Sequence, residues 1–239
     1  MPKSMRPRPG AKRATRATAS LPTDVVAELR RSSKPGRDEM AISRLERAVA
    51  LLQRGDASGA VTEATKAKEL APRAGTVREV LGLALYGRER YREALTEMQA
   101  YRRMTGRLDQ NHIIADCFRA TGQPDRAVPL AEEALAGQRV PLVARVESVV
   151  VAAAALADLG RFDQALAMLR RIRTSDEVGG PEALRIWYVT GDIMERAGRT
   201  EEAERAFRRI MRHDPTAYDV AERLAALGGS VPPRRRSSR

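Results

Sequence analysis

Cysteine occurs once in the 239 residues, at Cys117, which excludes an internal disulfide framework. Burial therefore has to hold the fold, and a reducing compartment is the natural expectation. Histidine occurs twice, at His112 and His213, too few for a cluster at metal-ligand spacing. His112 and Cys117 lie about 500° apart around a helix, so they point in different directions and do not form a cysteine–histidine nucleophile pair. Cys117 instead reads as a small buried thiol in an apolar stretch. No Gly-x4-Gly-Lys-Ser/Thr loop is present, and Gly228-Gly229 is followed by Ser230 and Val231 instead of a helix, so nucleotide binding is not indicated. Asp192 and Glu195 share one helical face, but a solvated charged face accounts for such a pair more simply than catalysis does. No enzyme activity, cofactor or metal is expected.

Long apolar runs are missing as well. The longest, Val149–Leu159, already contains Asp158 and falls short of the roughly 18–20 residues of a membrane helix. The N-terminus is basic but lacks the apolar stretch of about 7–15 residues that a secretory signal needs. Its acid-poor, Arg- and Ser-bearing composition matches a mitochondrial transit peptide, but Pro2, Pro7 and Pro9 would break that helix early. The expectation is a cytoplasmic protein with no membrane partner.

The net charge of +12 is concentrated at the ends. Residues 1–23 contain Lys3, Arg6, Arg8, Lys12, Arg13 and Arg16 and no acid, and residues 230–239 contain Arg234, Arg235, Arg236 and Arg239. Without those ten, 33 basic residues face 31 acids, so the body is nearly neutral. Residues 1–22 lack apolar periodicity and read as a disordered basic arm, and 228–239 as a disordered basic tail. Thr23 or Asp24 caps a short amphipathic turn with Val25, Val26 and Leu29, and Ser32-Ser33-Lys34-Pro35-Gly36 interrupts it, giving a short helix and linker over 23–40.

From there to Leu227 the pattern is helical and repeats. Turns at Gly55, Glu89, Gly122, Gly160 and Gly198 are each followed five residues later by alanine, at 60, 94, 127, 165 and 203. Small residues stand seven before each turn (Ala48, Gly82, Ala115, Ala153, Gly191), and large apolar ones four before it (Leu51, Leu85, Phe118, Leu156, Met194). Paired helices approach closely only where no bulky side chain stands between their axes. The spacing therefore predicts two helices per unit, with units at 41–74, 75–108, 108–141, 146–179 and 184–217 and a closing helix at 218–227. The second helices carry a stripe that includes Tyr101, Ile172 and Ile210. Turn spacings of 34, 33, 38 and 38 predict first helices one turn longer in the last two units, where Leu142–Arg145 and Gly180–Ala183 are extra. Arg44 and Arg47 stand where unit one should have large apolar residues, which suits a capping unit.

These residues resemble the tetratricopeptide repeat, with its Trp-x2-Leu-Gly-x2-Tyr pattern followed by Ala, Phe and Pro. Unit five matches best, with Trp187, Gly191, Ala203, Phe207 and Pro215, so Trp187 is read as core. Arginine outnumbers lysine 38 to 5, a bias that suits a high-GC, actinobacterial-like source. The resemblance implies an all-α, right-handed superhelical solenoid of about five helix-turn-helix repeats plus the closing helix. It also implies that residues two, five, nine and twelve of each repeat line a concave groove. These are Ile42, Leu45, Val49 and Leu52; Thr76, Glu79, Leu83 and Tyr86; Asp109, His112, Asp116 and Arg119; Glu147, Val150, Ala154 and Ala157; and Arg185, Tyr188, Asp192 and Glu195. Leu45 and Val49 replace the lysine and asparagine with which chaperone-tail clamps of this family hold a carboxylate. The apolar set from Ile42 to Leu52 needs a cover, either the Val25–Leu29 helix or a partner's amphipathic helix, unless the register is shifted and these residues are plain core.

The function implied is a non-catalytic scaffold or adaptor that binds a protein or peptide partner in the groove. The alternative is an RNA- or ribosome-associated factor. There Arg205, Arg208, Arg209 and Arg212, extended by Arg234, Arg235 and Arg236, would contact phosphates. Only nine aromatics are present, so no stacking platform for single strands is evident. Self-association through the unit faces is compatible with the pattern.

Overall fold

The structure is a computed structural model and describes residues 20–174 and 180–228. The described residues form twelve α-helices, one 3-10 turn and no strand. In chain order the helices are α1 (Thr23–Ser32), α2 (Asp38–Gln53), α3 (Ala57–Leu70), α4 (Gly75–Gly87), α5 (Tyr91–Thr105) and α6 (Asn111–Ala120). They continue with α7 (Ala127–Ala136), α8 (Leu142–Asp158), α9 (Phe162–Leu169), α10 (Pro181–Arg196), α11 (Thr200–His213) and α12 (Val220–Ala226). Helices α2 to α11 form five antiparallel pairs, and each second helix packs on the first helix of the next pair, as in a helical repeat solenoid. Among the described residues no helix is long and apolar enough to cross a membrane.

The five turns share one backbone solution. Gly55, Gly122, Gly160 and Gly198 take φ between 74 and 81°, in the left-handed region, and Glu89 holds the same place at φ 61°. The residue after each turn donates its N–H to the carbonyl of Leu51, Leu85, Phe118, Leu156 or Met194, at 2.8–3.0 Å. These are Schellman closures, in which a left-handed residue lets the chain reverse and satisfies an orphan carbonyl. The large apolar position of the repeat is thus also the residue whose carbonyl ends the first helix.

The five alanines that follow the turns are fully buried. A Cβ on Gly191 would lie 2.5 Å from Phe207 Cε1, and one on Gly82 would lie 2.9 Å from Met98 Cε, so both glycines are in direct contact with the second helix of their pair. The apolar interior forms one cluster spanning α1 to α8 and another spanning α7 to α12. Leu108, Ala134, Val140 and Ala144 make a small separate cluster at the junction. Glu97 is buried on α5 because two cations reach it: Lys68 from α3 at 2.6 Å and Arg78 from α4 at 2.8 Å.

The structure differs from the expected layout at several points. The sequence pattern puts the end of the arm at residue 22, yet Leu21 is buried in the first core cluster. Residues 1–19 of the arm and 229–239 of the tail lie outside the described residues. Helix α8 is the longest, at 17 residues, but α10 at 16 only equals α2, because repeat one also begins early, at Asp38. Helix α9 stops after 8 residues, so Ile172 sits past its end instead of on its stripe. The closing helix spans Val220–Ala226, and Tyr218 precedes it with φ 55°.

Candidate functional site

Helices α2, α4, α6, α8 and α10 lie side by side, so residues at repeat positions five, nine and twelve meet across neighbouring helices. Gln110 at the foot of α6 donates to Glu79 on α4 at 2.7 Å. The Tyr86 hydroxyl donates to Asp116 at 2.5 Å, and Arg119 binds Asp116 at 2.8 Å and Asp158 on α8 at 2.9 Å. Asp158 also accepts from Arg196 on α10 at 2.9 Å, and Arg185 donates to both oxygens of Glu147 at 3.1 and 3.2 Å. A chain of polar contacts therefore runs from Tyr86 through Asp116, Arg119 and Asp158 to Arg196, tying four repeats together. Leu83 is half-buried beside it, while Val150, Ala154 and Ala157 are buried.

Burial governs the electrostatics of this wall. It raises the Glu79 carboxyl above the ordinary carboxylate range, against the hydrogen bond from Gln110. It also raises the Tyr86 phenol, and the adjacent Asp116 adds to that. Burial lowers the His112 imidazole, opposed by Glu147, Asp109 and Asp116, and its Nδ1 has no hydrogen-bond partner. Tyr101 donates to Asp109 at 2.9 Å, and Arg107 also pairs with that carboxylate.

Both ends of the face are occupied by the chain itself. Ile42 and Leu45 are buried, and Val49 and Leu52 half-buried, in the cluster that holds Leu29, Val25 and Val26 of α1. Helix α1 packs into the same cluster as this apolar set. Glu28 anchors it by accepting from the Gly75 N–H at 2.6 Å and the Thr76 hydroxyl at 2.5 Å. At the other end, Arg223 of α12 binds Asp192 at 3.0 Å and Glu195 at 2.7 Å, and its guanidinium lies 5.0 Å from the Phe207 ring. Tyr188 donates to Asp219 at 2.7 Å and stacks on Tyr218 at 4.4 Å; burial and Asp219 push its phenol up to about 12.

The arginines named for phosphate contact have different surroundings. Arg205 is 3.9 Å from Glu201, Arg208 pairs with Glu204 at 2.5 Å, and Arg209 lies 3.8 Å over the Trp187 ring. Arg212 is exposed, and Arg234, Arg235 and Arg236 lie outside the described residues. Among the described residues no group of three or more His, Cys, Asp or Glu side chains is placed to hold a metal ion.

Glu28, Asp158, Arg196, Asp219 and Arg223 escaped the sequence reading. Glu28, Asp219 and Arg223 belong to helices outside the repeats or to their approach. Asp158 and Arg196 fall one position past the twelve-residue groove frame, on the last turn of longer first helices.

A family model described as Tetratricopeptide repeat matches residues 45–111 and 150–218. Among solved structures, the chain is similar to YrrB, a TPR protein with an unusual peptide-binding site, at 21% identity and TM-score 0.53, covering 78% of this chain and 91% of that one. It is similar to TTC0263, a thermophilic TPR protein in Thermus thermophilus, at 17% identity and TM-score 0.56, covering 78% and 98%. MamA matches at 14% identity and TM-score 0.56, covering 82% and 99%. At these identities the likeness concerns the fold. Comparison with curated proteins finds no match.

Proposed function

The chain belongs to the tetratricopeptide repeat family, and we propose that it is a non-catalytic scaffold that binds a peptide or helix of a protein partner on its concave face. The stretch between α1 and α12 is the site, centred on Glu79, Leu83 and Tyr86 of α4 and His112, Asp116 and Arg119 of α6. The observation that carries this reading is the run of contacts from Tyr86 to Arg196. It holds side chains from the first helices of four successive repeats in one fixed wall before any partner arrives, which lowers the ordering cost of binding.

The type of partner follows from what the wall offers. Most of its charges are already paired to one another, with Glu79 instead accepting from the Gln110 amide, so a ligand gains little from a new ion pair and more from covering Leu83 and the Tyr86 ring. Amphipathic α1 already uses the neighbouring surface in this way, with Leu29 buried and a single carboxylate engaging a helix terminus. An amphipathic helix from a partner suits the adjacent stretch.

Affinity capture with the full chain, with and without nuclease, tests the reading. Partners should survive nuclease and be lost with Leu83→Arg and with Glu79→Arg, each checked by circular dichroism. Partners that disappear on nuclease treatment and ignore both substitutions would favour the RNA- or ribosome-associated alternative, which rests on the basic ends of the chain.

A further inference from the structure

Five carboxylates along the row of first helices, Asp116, Glu147, Asp158, Asp192 and Glu195, each have an arginine within 3.1 Å. Glu79 of α4 makes no ion pair with a described residue. Its Oε1 accepts from the Gln110 amide at 2.7 Å, and its Oε2 accepts from no described residue. The charged groups that act on it are Asp109, Arg107 and Glu28. Each of these is engaged elsewhere. Arg107 binds Asp109 through Nε and Nη2, Asp109 also accepts from Tyr101, and Glu28 accepts from the Gly75 N–H and the Thr76 hydroxyl. Three carboxylates thus stand beside one guanidinium, and Glu79 is the one with an oxygen open to a further donor.

Glu79 is half-buried, and burial raises its carboxyl because the charged form has lost part of its water. A cation brought by a ligand would restore that stabilisation, in surroundings less screening than bulk water. One open oxygen suits the ammonium of lysine, a compact point charge, whereas the fork of arginine favours two parallel acceptors. Phosphate, by contrast, is repelled here. Leu83 and Tyr86, both half-buried, follow Glu79 at i+4 and i+7 on α4, about 6 and 10 Å along the helix axis. A partner helix laid along α4 repeats that spacing on its own face.

We propose that the helix bound on the concave face carries a lysine that pairs with Glu79, and apolar side chains one and two turns from that lysine that cover Leu83 and the Tyr86 ring. This rests on the concave face being the binding site, and it adds the partner's charge and the spacing of its contacts.

The test uses the full chain and a fluorescein-labelled peptide of about seventeen residues, with lysine at the middle, leucine four and seven positions to either side, and alanine and glutamine elsewhere. Leucines on both sides serve either direction along α4. A counterpart peptide has norleucine in place of the lysine. In fluorescence anisotropy the lysine peptide should bind about fivefold tighter than the norleucine peptide, and Glu79→Gln should remove that difference. The glutamine keeps an oxygen for the Gln110 amide, so circular dichroism should match the wild type. Leu83→Arg should weaken both peptides. Equal affinities for the wild type, or a lysine preference that persists in Glu79→Gln, overturn the lysine assignment; if Leu83→Arg still weakens both peptides, binding on the concave face stands. Lysine-dependent binding that Leu83→Arg leaves unchanged overturns both. Absence of saturable binding by either peptide overturns the lysine assignment, while affinity capture still decides whether the concave face binds a partner.

Discussion

Glu28 accepts the hydroxyl proton of Thr76 at 2.5 Å and, with its other oxygen, the N–H of Gly75 at 2.6 Å, so a carboxylate on α1 caps the amino end of α4. An anion at a helix amino end satisfies orphan donors and complements the helix dipole. Glu28→Ala is expected to cost about 1–2 kcal/mol. The loss should be local, with faster amide exchange over 23–32 and little change in α10 and α11, as hydrogen-exchange mass spectrometry would show.

Two glycines that look alike in the repeat pattern should respond differently to alanine. At Gly191 the added methyl meets the ring of fully buried Phe207 at 2.5–2.9 Å, a rigid obstacle that has to shift with its surroundings. At Gly82 it meets the Met98 side chain, at 2.9 Å from Cε and 3.0 Å from Cγ, which is more flexible than a ring. Gly191→Ala should destabilise by about 1–3 kcal/mol through overpacking. In Gly82→Ala, the gain in helix propensity of about 1 kcal/mol should offset most of the strain. Urea unfolding midpoints of the two variants would separate the cases, and equal losses would contradict this account.

Glu89 occupies with φ 61° the place that glycine holds in the other four turns. A side chain in the left-handed region costs roughly 1–2 kcal/mol relative to glycine. Glu89→Gly should therefore raise stability by about 1 kcal/mol, after allowing for the greater freedom of glycine in the unfolded chain. A higher melting temperature with unchanged circular dichroism is the expected result.

Because burial lowers the His112 imidazole from its ordinary value of 6.5, the unfolded chain takes up a proton there before the folded one does. Stability should therefore rise with pH up to about 6.5 and fall as acid is added below it, with a slope of at most about 1.4 kcal/mol per pH unit. His112→Gln, which cannot titrate, should flatten that part of the curve. Melting curves at pH 5.5 and 7.5 for both proteins would check it.

Burial pushes the Cys117 thiol up to about 12, and the side chain is fully buried on α6. Since the thiolate is the reactive form, the native protein should resist a disulfide reagent at pH 8 and release one equivalent of thiol only in denaturant. Rapid modification of the native protein would mean that α6 opens far more readily than its packing suggests.

The repeating architecture was legible from the small-residue periodicity alone. An alanine or glycine at a helix crossing is a short-range requirement, so it leaves the same mark each time it is met. For that reason Ala60, Ala94, Ala127, Ala165 and Ala203 could be picked out without coordinates, and all five are buried. The turn glycines were equally visible, because φ near 75° is a local property of one residue.

Which segments pack at the two ends of the row of first helices depended on tertiary structure. Glu28 and Thr76 are 48 residues apart and Tyr188 and Asp219 are 31 apart, and neither pair has a spacing that a periodic pattern could predict. The short α9 was hidden for a related reason: Ile172 continues the helical stripe in sequence, but the chain leaves the helix at Leu169. Periodicity records which face a residue would show if the helix continued. Whether the helix continues, and which distant carboxylate or arginine meets that face, is decided only when the whole chain packs.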